Sequence, residues 1–260
     1  MKLWPQAQLP PHATKHFGAA LLEFNRRLQA RQPFSLVRFG DGEMMIIQGK
    51  AIDLFDKYNG EHRYVPGAAN DEQQRTRLTA SLHYQNPRYF VGIACPCCVG
   101  RDNFHQLKSG SGQADEQLTW ANLFVNSNYR VFLQQTVPLL QQMPVNLVCH
   151  QRADPSGLPF SVGKTFRTGA NAWVNDYQRV HDELDQWVAS SASTNEVFLF
   201  CAGVLSNILV KEMTQRHPGH TYIDLGSVFD THLGLGATRS YLKSGFFRRK
   251  RKLNKTCVWE

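Results

Sequence analysis

The chain has 260 residues, six cysteines and a formal net charge of +8. This length allows one large domain or two small ones, with a core big enough to fold without disulfide or metal staples. With no signal peptide and no apolar run near the roughly 18 residues of a membrane-spanning helix, the sequence predicts a cytoplasmic protein with reduced thiols.

The positive charge is concentrated near the C-terminus. Residues 246–255 contain six basic side chains and no acid, so the rest of the chain carries only +2. We therefore divide the chain into a single domain, 1–245, and a basic tail, 246–260. The basic run indicates that the tail makes peripheral contact with the inner face of an anionic membrane. The alternative is that the tail is a solvated terminus. A nucleic-acid partner is not expected, because the body is nearly neutral and carries no nucleic-acid-binding motif.

The chain alternates between helical and strand-like patterns. Helices are predicted at 17–30, 71–84, 171–189 and 205–216. Residues 120–143 are also expected to be helical, with an interruption at the polar residues 126–128. Strands are predicted at 34–39, 89–95, 145–149, 196–201 and 220–225. Residues 51–69 are expected to form a loop or short hairpin over the sheet edge that helps to cover the functional site. Residues 100–112 are expected to form a mobile loop that closes over a substrate. This alternation predicts one α/β domain with a Rossmann-like, mostly parallel sheet flanked by helices.

The first predicted strand leads into an acidic turn. Its segment, FSLVRFGDGEMMII, predicts a strand, a glycine-flanked turn and a helix. Gly40 and Gly42 let the backbone bend until the carboxylates of Asp41 and Glu43 converge, and carboxylates with phosphate oxygens and water are typical ligands of Mg²⁺ or Mn²⁺. The alternative is structural: Asp41 is the N-cap of the helix, and Glu43 interacts with the helix dipole.

The string LVRFGDGEM resembles the signature of the GT-D-type glycosyltransferases, once known only as a domain of unknown function, whose Asp-x-Glu motif is metal-associated. Three later segments resemble the same family in the same order: TWANLFVNSNYRVF, FLFCAGVLSNILVKEM and TYIDLGSVFD. The resemblance implies a GT-D fold, Mn²⁺ or Mg²⁺ on Asp41 and Glu43, and a nucleotide-diphospho-sugar donor. It also implies a glycan, glycoprotein or lipid-linked acceptor, as in polysaccharide biosynthesis or protein glycosylation.

Further candidate residues follow other strands, because ligands of open α/β sheets bind at the carboxyl ends of the strands. The residues assigned to the donor site are Arg38, Gly40, Gly42, Gly203, Asn207, Asp224, Ser227 and Arg239. Gly203 allows a phosphate to approach the backbone amides at a helix start, although a routine β-α turn explains this glycine equally well. An arginine on the first strand, Arg38, either pairs with the diphosphate or holds Asp41 or Glu43 in place.

Two further groups concern the acceptor. Asp230 is the first candidate for the general base and His232 the second, and ordinary loop residues are the alternative. Three asparagines suit sugar hydroxyls, because an amide both donates and accepts hydrogen bonds. These residues are Asn122, Asn126 and Asn128, for which local capping between two helices is an equally good interpretation.

Two other interpretations remain open. A metal-dependent phosphohydrolase acting on nucleotides would use the same carboxylates and phosphate turn, with water as the acceptor. The cluster IACPCCVG could form half a zinc site, but no second cysteine pair with matching spacing follows it. We therefore expect its cysteines to be small buried residues that follow a strand.

Overall fold

The computed structural model describes residues 17–54, 62–243 and 259. Its main sheet has seven strands in the order β5-β4-β1-β9-β8-β6-β7, and a separate hairpin pairs β2 with β3. The strands are β1 Ser35–Phe39, β2 Ile52–Asp53, β3 Arg63–Tyr64, β4 Tyr89–Ile93, β5 Leu118–Trp120, β6 Val145–His150, β7 Thr165–Thr168, β8 Val197–Cys201 and β9 Thr221–Asp224. Every pairing within the main sheet is parallel, which confirms the predicted α/β architecture.

Helices connect these strands and cover both faces of the sheet. They are α1 Phe17–Gln29, α2 Asp41–Ile47, α3 Ala69–His83, α4 Pro96–Val99, α5 Arg101–Gly110, α6 Tyr129–Val131, α7 Val137–Leu140, α8 Ala172–Asn175, α9 Tyr177–Ser190 and α10 Val204–Arg216. A π-helical segment, Phe132–Thr136, joins α6 to α7. Short 3-10 turns are found at Asp115–Gln117, Asn126–Asn128, Pro155–Gly157 and Ser240–Leu242.

The core consists of two apolar layers, one on each side of the sheet. Along β1, Val37 and Phe39 belong to the layer that includes α3, α9 and α10, whereas Leu36 belongs to the layer that includes α1 and α7. Successive side chains of a strand point to opposite faces, so a strand covered on both sides must be apolar throughout. This requirement explains why the predicted strands were recognisable as continuous apolar runs.

Three expectations about secondary structure are wrong. Residues 100–112 are not a mobile loop, because α5 occupies most of the segment and buries Phe104 and Leu107, one turn apart, in the core. The predicted helix at 120–143 begins instead with the last residue of β5 and becomes helical only near Asn126. The predicted helix at 171–189 is divided into α8 and α9 at Asp176.

The cysteine cluster also differs from expectation. Cys95 is buried, as predicted, but Cys97 and Cys98 are exposed. Among the described residues, Cys95, Cys98, Cys149 and Cys201 carry free thiols, and the expectation of reduced thiols throughout stays a prediction. Cys97 and Cys98 are exposed because they lie on α4, a short helix that follows β4 and buries none of its residues.

The end of the chain returns to the core. Trp259 is fully buried, with its ring centroid 4.8 Å from that of Trp120 and 5.4 Å from that of Phe104. Its indole Nε1 donates to Asp115 Oδ1 at 3.3 Å. The core therefore includes a residue that the sequence assigned to the tail, while the basic run at 246–255 lies outside the described residues. None of the helices in the described ranges has the length and hydropathy that a bilayer span requires.

Candidate functional site

The acidic turn follows β1 at the centre of the sheet. Gly40 precedes α2, and Asp41 is its exposed first residue, so the alternative in which Asp41 is the N-cap is wrong. The carboxylate of Glu43 accepts a hydrogen bond from the Gly40 backbone N–H at 2.9 Å. Asp41 Oδ1 accepts one from the Gly42 backbone N–H at 3.1 Å. Glu43 therefore does cap the helix start, whereas Asp41 presents its carboxylate to the surface.

An ion pair lies directly behind this turn. The Nε of Arg38 lies 3.3 Å from Asp224 Oδ2, with both side chains largely buried. Arg38 also donates to the Ala121 carbonyl at 3.2 Å. Arg38 thus forms an ion pair with Asp224, and its expected role towards the diphosphate or towards Asp41 and Glu43 stays a prediction. It still interacts electrostatically with Glu43.

The site carries more negative than positive charge. Burial raises the pKa of Glu43, and the nearby charge of Asp41 raises it a little further. Hydrogen bonds from backbone N–H groups act in the opposite direction but do not cancel the rise. Burial raises the pKa of Asp224 to about 6, against Arg38, which lowers it, while Glu43 raises it further. Three carboxylates therefore interact around one guanidinium. A divalent cation would relieve their mutual repulsion, so the residues present fit such an ion.

A glycine that the sequence did not single out makes room for this ion pair. Gly226 follows β9 with φ +56°, and a Cβ added there would lie 2.2 Å from Arg38 Nη2. Its backbone N–H donates to Asp224 Oδ1 at 2.9 Å. Gly226 is thus required both for its left-handed backbone and for the space that Arg38 occupies.

The second turn of the site follows β8. Gly203, with φ +57° and ψ −137°, precedes α10, and no side chain caps this helix. The amide of Asn207, one turn into α10, is fully buried and donates to the Arg38 carbonyl at 2.9 Å. Its Oδ1 is buried without a hydrogen-bond partner among the described residues. Asn207 therefore ties α10 to the end of β1 and keeps one unused acceptor beside the site.

His62 lies between the two turns, although no sequence pattern indicates a role for it. A Cβ added at Gly42 would lie 3.1 Å from His62 Nε2, and one added at Gly203 would lie 3.7 Å from His62 Nδ1. The imidazole therefore occupies the space that these two glycines leave open. A lone histidine in a polar hairpin has no spacing signal, so only the expectation that residues 51–69 cover the site pointed towards it.

The residues beyond β9 form a second polar group. Asp230 is buried and accepts a hydrogen bond from the Thr238 hydroxyl. The Ser227 hydroxyl lies 3.1 Å from that of Tyr241, whose pKa burial raises to about 12. Tyr241 interacts electrostatically with Arg38, Asp230 and Arg239, so this group adjoins the ion pair.

His232 lies against a different part of the molecule. Its ring packs on Phe229 at 5.6 Å, and a Cβ added at Gly157 would lie 2.1 Å from its backbone oxygen. Burial lowers the pKa of His232. None of its described contacts involves the acidic turn.

The three asparagines have different surroundings. The Asn122 amide donates to the sulfur of Cys95 at 3.1 Å and towards that of Cys98 at 3.8 Å. Asn128 is buried and donates to the Leu123 carbonyl at 2.9 Å, as in local capping. Asn126 is half-buried and begins the 3-10 turn with φ +54°. Their predicted contacts with sugar stay a prediction.

Comparisons with known proteins identify a family and a fold for the chain. A family model described as a GT-D fold-like domain matches residues 18–232. A solved structure titled "The highly conserved domain of unknown function 1792 has a distinct glycosyltransferase fold" is similar over 80% of this chain and 77% of its own, with 19% identity and a TM-score of 0.53. A selenomethionine-substituted structure of domain of unknown function 1792 is similar over the same shares, with 18% identity and a TM-score of 0.56. A search of curated proteins finds no match.

Proposed function

The chain belongs to the GT-D-like family, and from this membership we propose that it is a glycosyltransferase that moves a hexose from a nucleotide-diphospho-sugar donor to a glycan, glycoprotein or lipid-linked acceptor. The observation that carries the proposal is the pair of turns after β1 and β8. One turn supplies carboxylates and the other an uncapped helix start, on neighbouring parts of one sheet edge.

Asp41 and Glu43 are the residues that would hold Mn²⁺ or Mg²⁺. When bound, such an ion neutralises the charge that develops on the leaving diphosphate. The excess of carboxylates over cations around Glu43 supports this assignment, and the exposed carboxylate of Asp41 is accessible to a ligand from solvent.

The chain's own residues would bind and orient the donor. The helix α10 starts after Gly203 without a side-chain cap, and a helix start of this kind favours a phosphate. Asn207 Oδ1 has no hydrogen-bond partner among the described residues, so it could accept a hydrogen bond from a hydroxyl of the nucleotide sugar. The His62 ring lies between both turns and would contact the diphosphate or the sugar. Arg38 and Asp224 hold β1 and β9 in the arrangement that these contacts need.

Asp230 is the proposed general base, which takes the proton of the acceptor hydroxyl. Its carboxylate is buried, and the Thr238 hydroxyl donates to one of its oxygens and orients it. The contacts of His232 with Phe229 and the 155–157 turn favour a packing role for that residue.

A panel of nucleotide sugars, each tested with and without acceptor and with Mn²⁺ or EDTA, tests the proposed function. Transfer to an acceptor that EDTA abolishes is the expected result. Release of phosphate or nucleotide without any transfer product would instead identify a phosphohydrolase. A donor at 100 times its Kd adds about 2.7 kcal/mol to the free energy of unfolding and so raises the melting temperature. The same panel, screened by thermal shift, therefore identifies the donor first.

We also propose that the basic run at 246–255 brings the enzyme to an anionic membrane, where lipid-linked acceptors are found. Because Trp259 is buried in the core, deleting the whole tail would damage the fold. Replacing Arg248, Arg249 and Lys250 by glutamine keeps Trp259 in place. This variant should bind anionic liposomes more weakly at low salt and turn over a soluble acceptor normally. Unchanged liposome binding would contradict the proposal.

A further inference from the structure

An ion pair on α3 connects two parts of the candidate site. Glu72 and Arg75 lie one turn apart in the first half of this helix, and Arg75 Nη1 is 2.8 Å from Glu72 Oε2. Both side chains are half-buried. A surface ion pair of this kind contributes little to stability when it has no other contacts. This pair has further contacts on both sides.

Arg75 caps the carboxyl end of α2, the helix that begins with Asp41 and Glu43. Its Nε donates to the Ile46 carbonyl at 3.1 Å and to the Ile47 carbonyl at 3.3 Å, and its Nη2 donates to the latter at 3.3 Å. The last carbonyls of a helix lack partners within it, and a cation is favourable there. Because α2 has seven residues, about 10 Å at 1.5 Å per residue, a displacement of one end also moves the other.

Glu72 holds the strand that follows His62. Its Oε1 accepts a hydrogen bond from the Tyr64 hydroxyl at 2.6 Å and one from the Gly67 backbone N–H at 3.1 Å. The Tyr64 hydroxyl, followed by Gly67 and Arg75, lowers the pKa of Glu72 to about 2, so this side chain is an anion at neutral pH. Tyr64 is buried, and His62 directly precedes its two-residue strand, β3. The Glu72 carboxylate therefore fixes the strand that carries the imidazole.

These contacts form a closed loop through the candidate site. His62 lies beside Gly42 near the start of α2, where an added Cβ would be 3.1 Å from the imidazole Nε2. Arg75 contacts the end of the same helix, and Glu72 joins Arg75 to Tyr64. Tyr64 leads back along the chain to His62. The ion pair therefore sets the distance between the start of α2 and the imidazole.

We propose that Glu72 and Arg75 are positioning residues, which hold the acidic turn and His62 at the separation that binds the donor diphosphate. They do so without touching the donor, which is that of the proposed function on which this inference rests. Positioning of this kind requires side chains that are themselves fixed by further hydrogen bonds, as these two are. A pair that only added stability would leave the geometry of the site unchanged in variants that remain folded.

Nuclear magnetic resonance of the His62 ring tests the proposal without a donor. In the nitrogen-labelled full-length protein, the ring gives proton–nitrogen correlations, which are assigned by their loss in His62→Gln. Tyr64→Phe removes the hydroxyl that donates to Glu72, and Arg75→Met removes the cation from the end of α2. Each variant should move the His62 correlations from their wild-type positions at fixed pH.

Two matched controls change the same kinds of group elsewhere. Tyr89→Phe removes the hydroxyl of another buried tyrosine, which donates to the Ser81 carbonyl at 2.8 Å and lies at the amino end of β4. Arg26→Met breaks an ion pair with Glu23 that has the same i, i+3 spacing on α1. Both controls should leave the His62 correlations unchanged. Melting curves establish that each variant is folded at the temperature of the measurement.

Calorimetry with inorganic pyrophosphate and Mn²⁺ gives the second readout. The pyrophosphate Kd should rise about two- to fivefold in Tyr64→Phe and in Arg75→Met. Tyr64→Phe should add nothing to the Kd of His62→Gln, because residues that act through one another have non-additive effects.

Two results would overturn the proposal: His62 correlations that stay at their wild-type positions in both variants, or a pyrophosphate Kd equal to that of the wild type in both folded variants. Failure of the proposed function is a separate result, in which the wild type transfers no sugar from any donor of the panel. In that case the His62 correlations and the pyrophosphate Kd still decide whether Glu72 and Arg75 position the site.

Discussion

The two turns of the candidate site begin as the same structure and differ in chemistry. Each follows a central strand, and each places a glycine before a helix. Gly40 has an extended backbone with φ −97°, and the helix behind it begins with two acids. Gly203 has φ +57°, and no acid lies in the first turn of α10. One turn therefore presents carboxylates, and the other presents backbone amides.

This difference shows how one sheet edge binds a charged donor without a dedicated phosphate motif. Carboxylates repel a diphosphate unless a cation lies between them, whereas an uncapped helix start attracts it directly. Changing the first turn should therefore abolish chemistry, and changing the second should weaken binding. The four predictions below test this division.

The largest effect is expected in the acidic turn. Asp41→Asn and Glu43→Gln each remove a charge with little change in shape, so kcat/KM for transfer should fall by about 10²–10³. The control is Asp102→Asn, the same substitution at an exposed position in the first turn of α5, which should keep full activity. If both variants transfer sugar at the wild-type rate, or EDTA leaves the wild type unaffected, the two carboxylates serve only the helix start.

The second prediction concerns the ion pair behind the acidic turn. Asp224 has a pKa of about 6 in the folded protein against an ordinary aspartate pKa of 3.8, so the folded state binds its proton more tightly than the unfolded state. The free energy of unfolding should therefore decrease as pH rises through this window, by about 3 kcal/mol, and level off above it. The raised pKa of Glu43 acts in the same direction.

Urea denaturation across this pH range measures the effect. Asp224→Asn should have a flatter profile than the wild type, whereas Asp102→Asn should keep the wild-type slope. Equal slopes for the wild type and Asp224→Asn would show that the pKa of Asp224 is not raised by folding.

The third prediction concerns the turn after β8, which carries no acid. Gly203→Ala places a Cβ on a backbone that only glycine adopts readily, so stability should fall by about 1–3 kcal/mol and the donor Kd should rise. The control is Gly219→Ala, because a Cβ there meets nothing within 4 Å and its φ is not left-handed. Calorimetry with the donor on both folded variants separates the two effects. A donor Kd equal to that of the wild type would remove this turn from the binding site.

The smallest effect is expected at His62, which contacts both turns. His62→Gln keeps a polar side chain but moves its hydrogen-bonding atoms, so the donor Kd should rise by about fivefold, the equivalent of one net hydrogen bond of about 1 kcal/mol. His105→Gln, at an exposed position on α5, is the control. An unchanged Kd in His62→Gln would show that the ring only fills the space between the glycines.

The fold was largely predictable because its central strands are covered on both sides. Continuous apolar runs identified β1, β4, β6, β8 and β9, and each matches an observed strand. The edge strands β5 and β7 were missed, because they are three and four residues long and carry polar side chains. The helix α5 was missed because its charged and glycine-containing sequence hides two buried apolar residues, Phe104 and Leu107.

The sequence by itself determined the α/β class, the family and the position of the acidic turn, because these depend on local patterns and on a short contiguous motif. The tertiary structure alone decided which groups face one another. Arg38 meets Asp224 across 186 residues of sequence, and Gly226 leaves the space that makes this contact possible. His62 lies between two glycines that follow different strands, Gly42 after β1 and Gly203 after β8. Such contacts depend on the order of strands in the sheet, which no local pattern encodes.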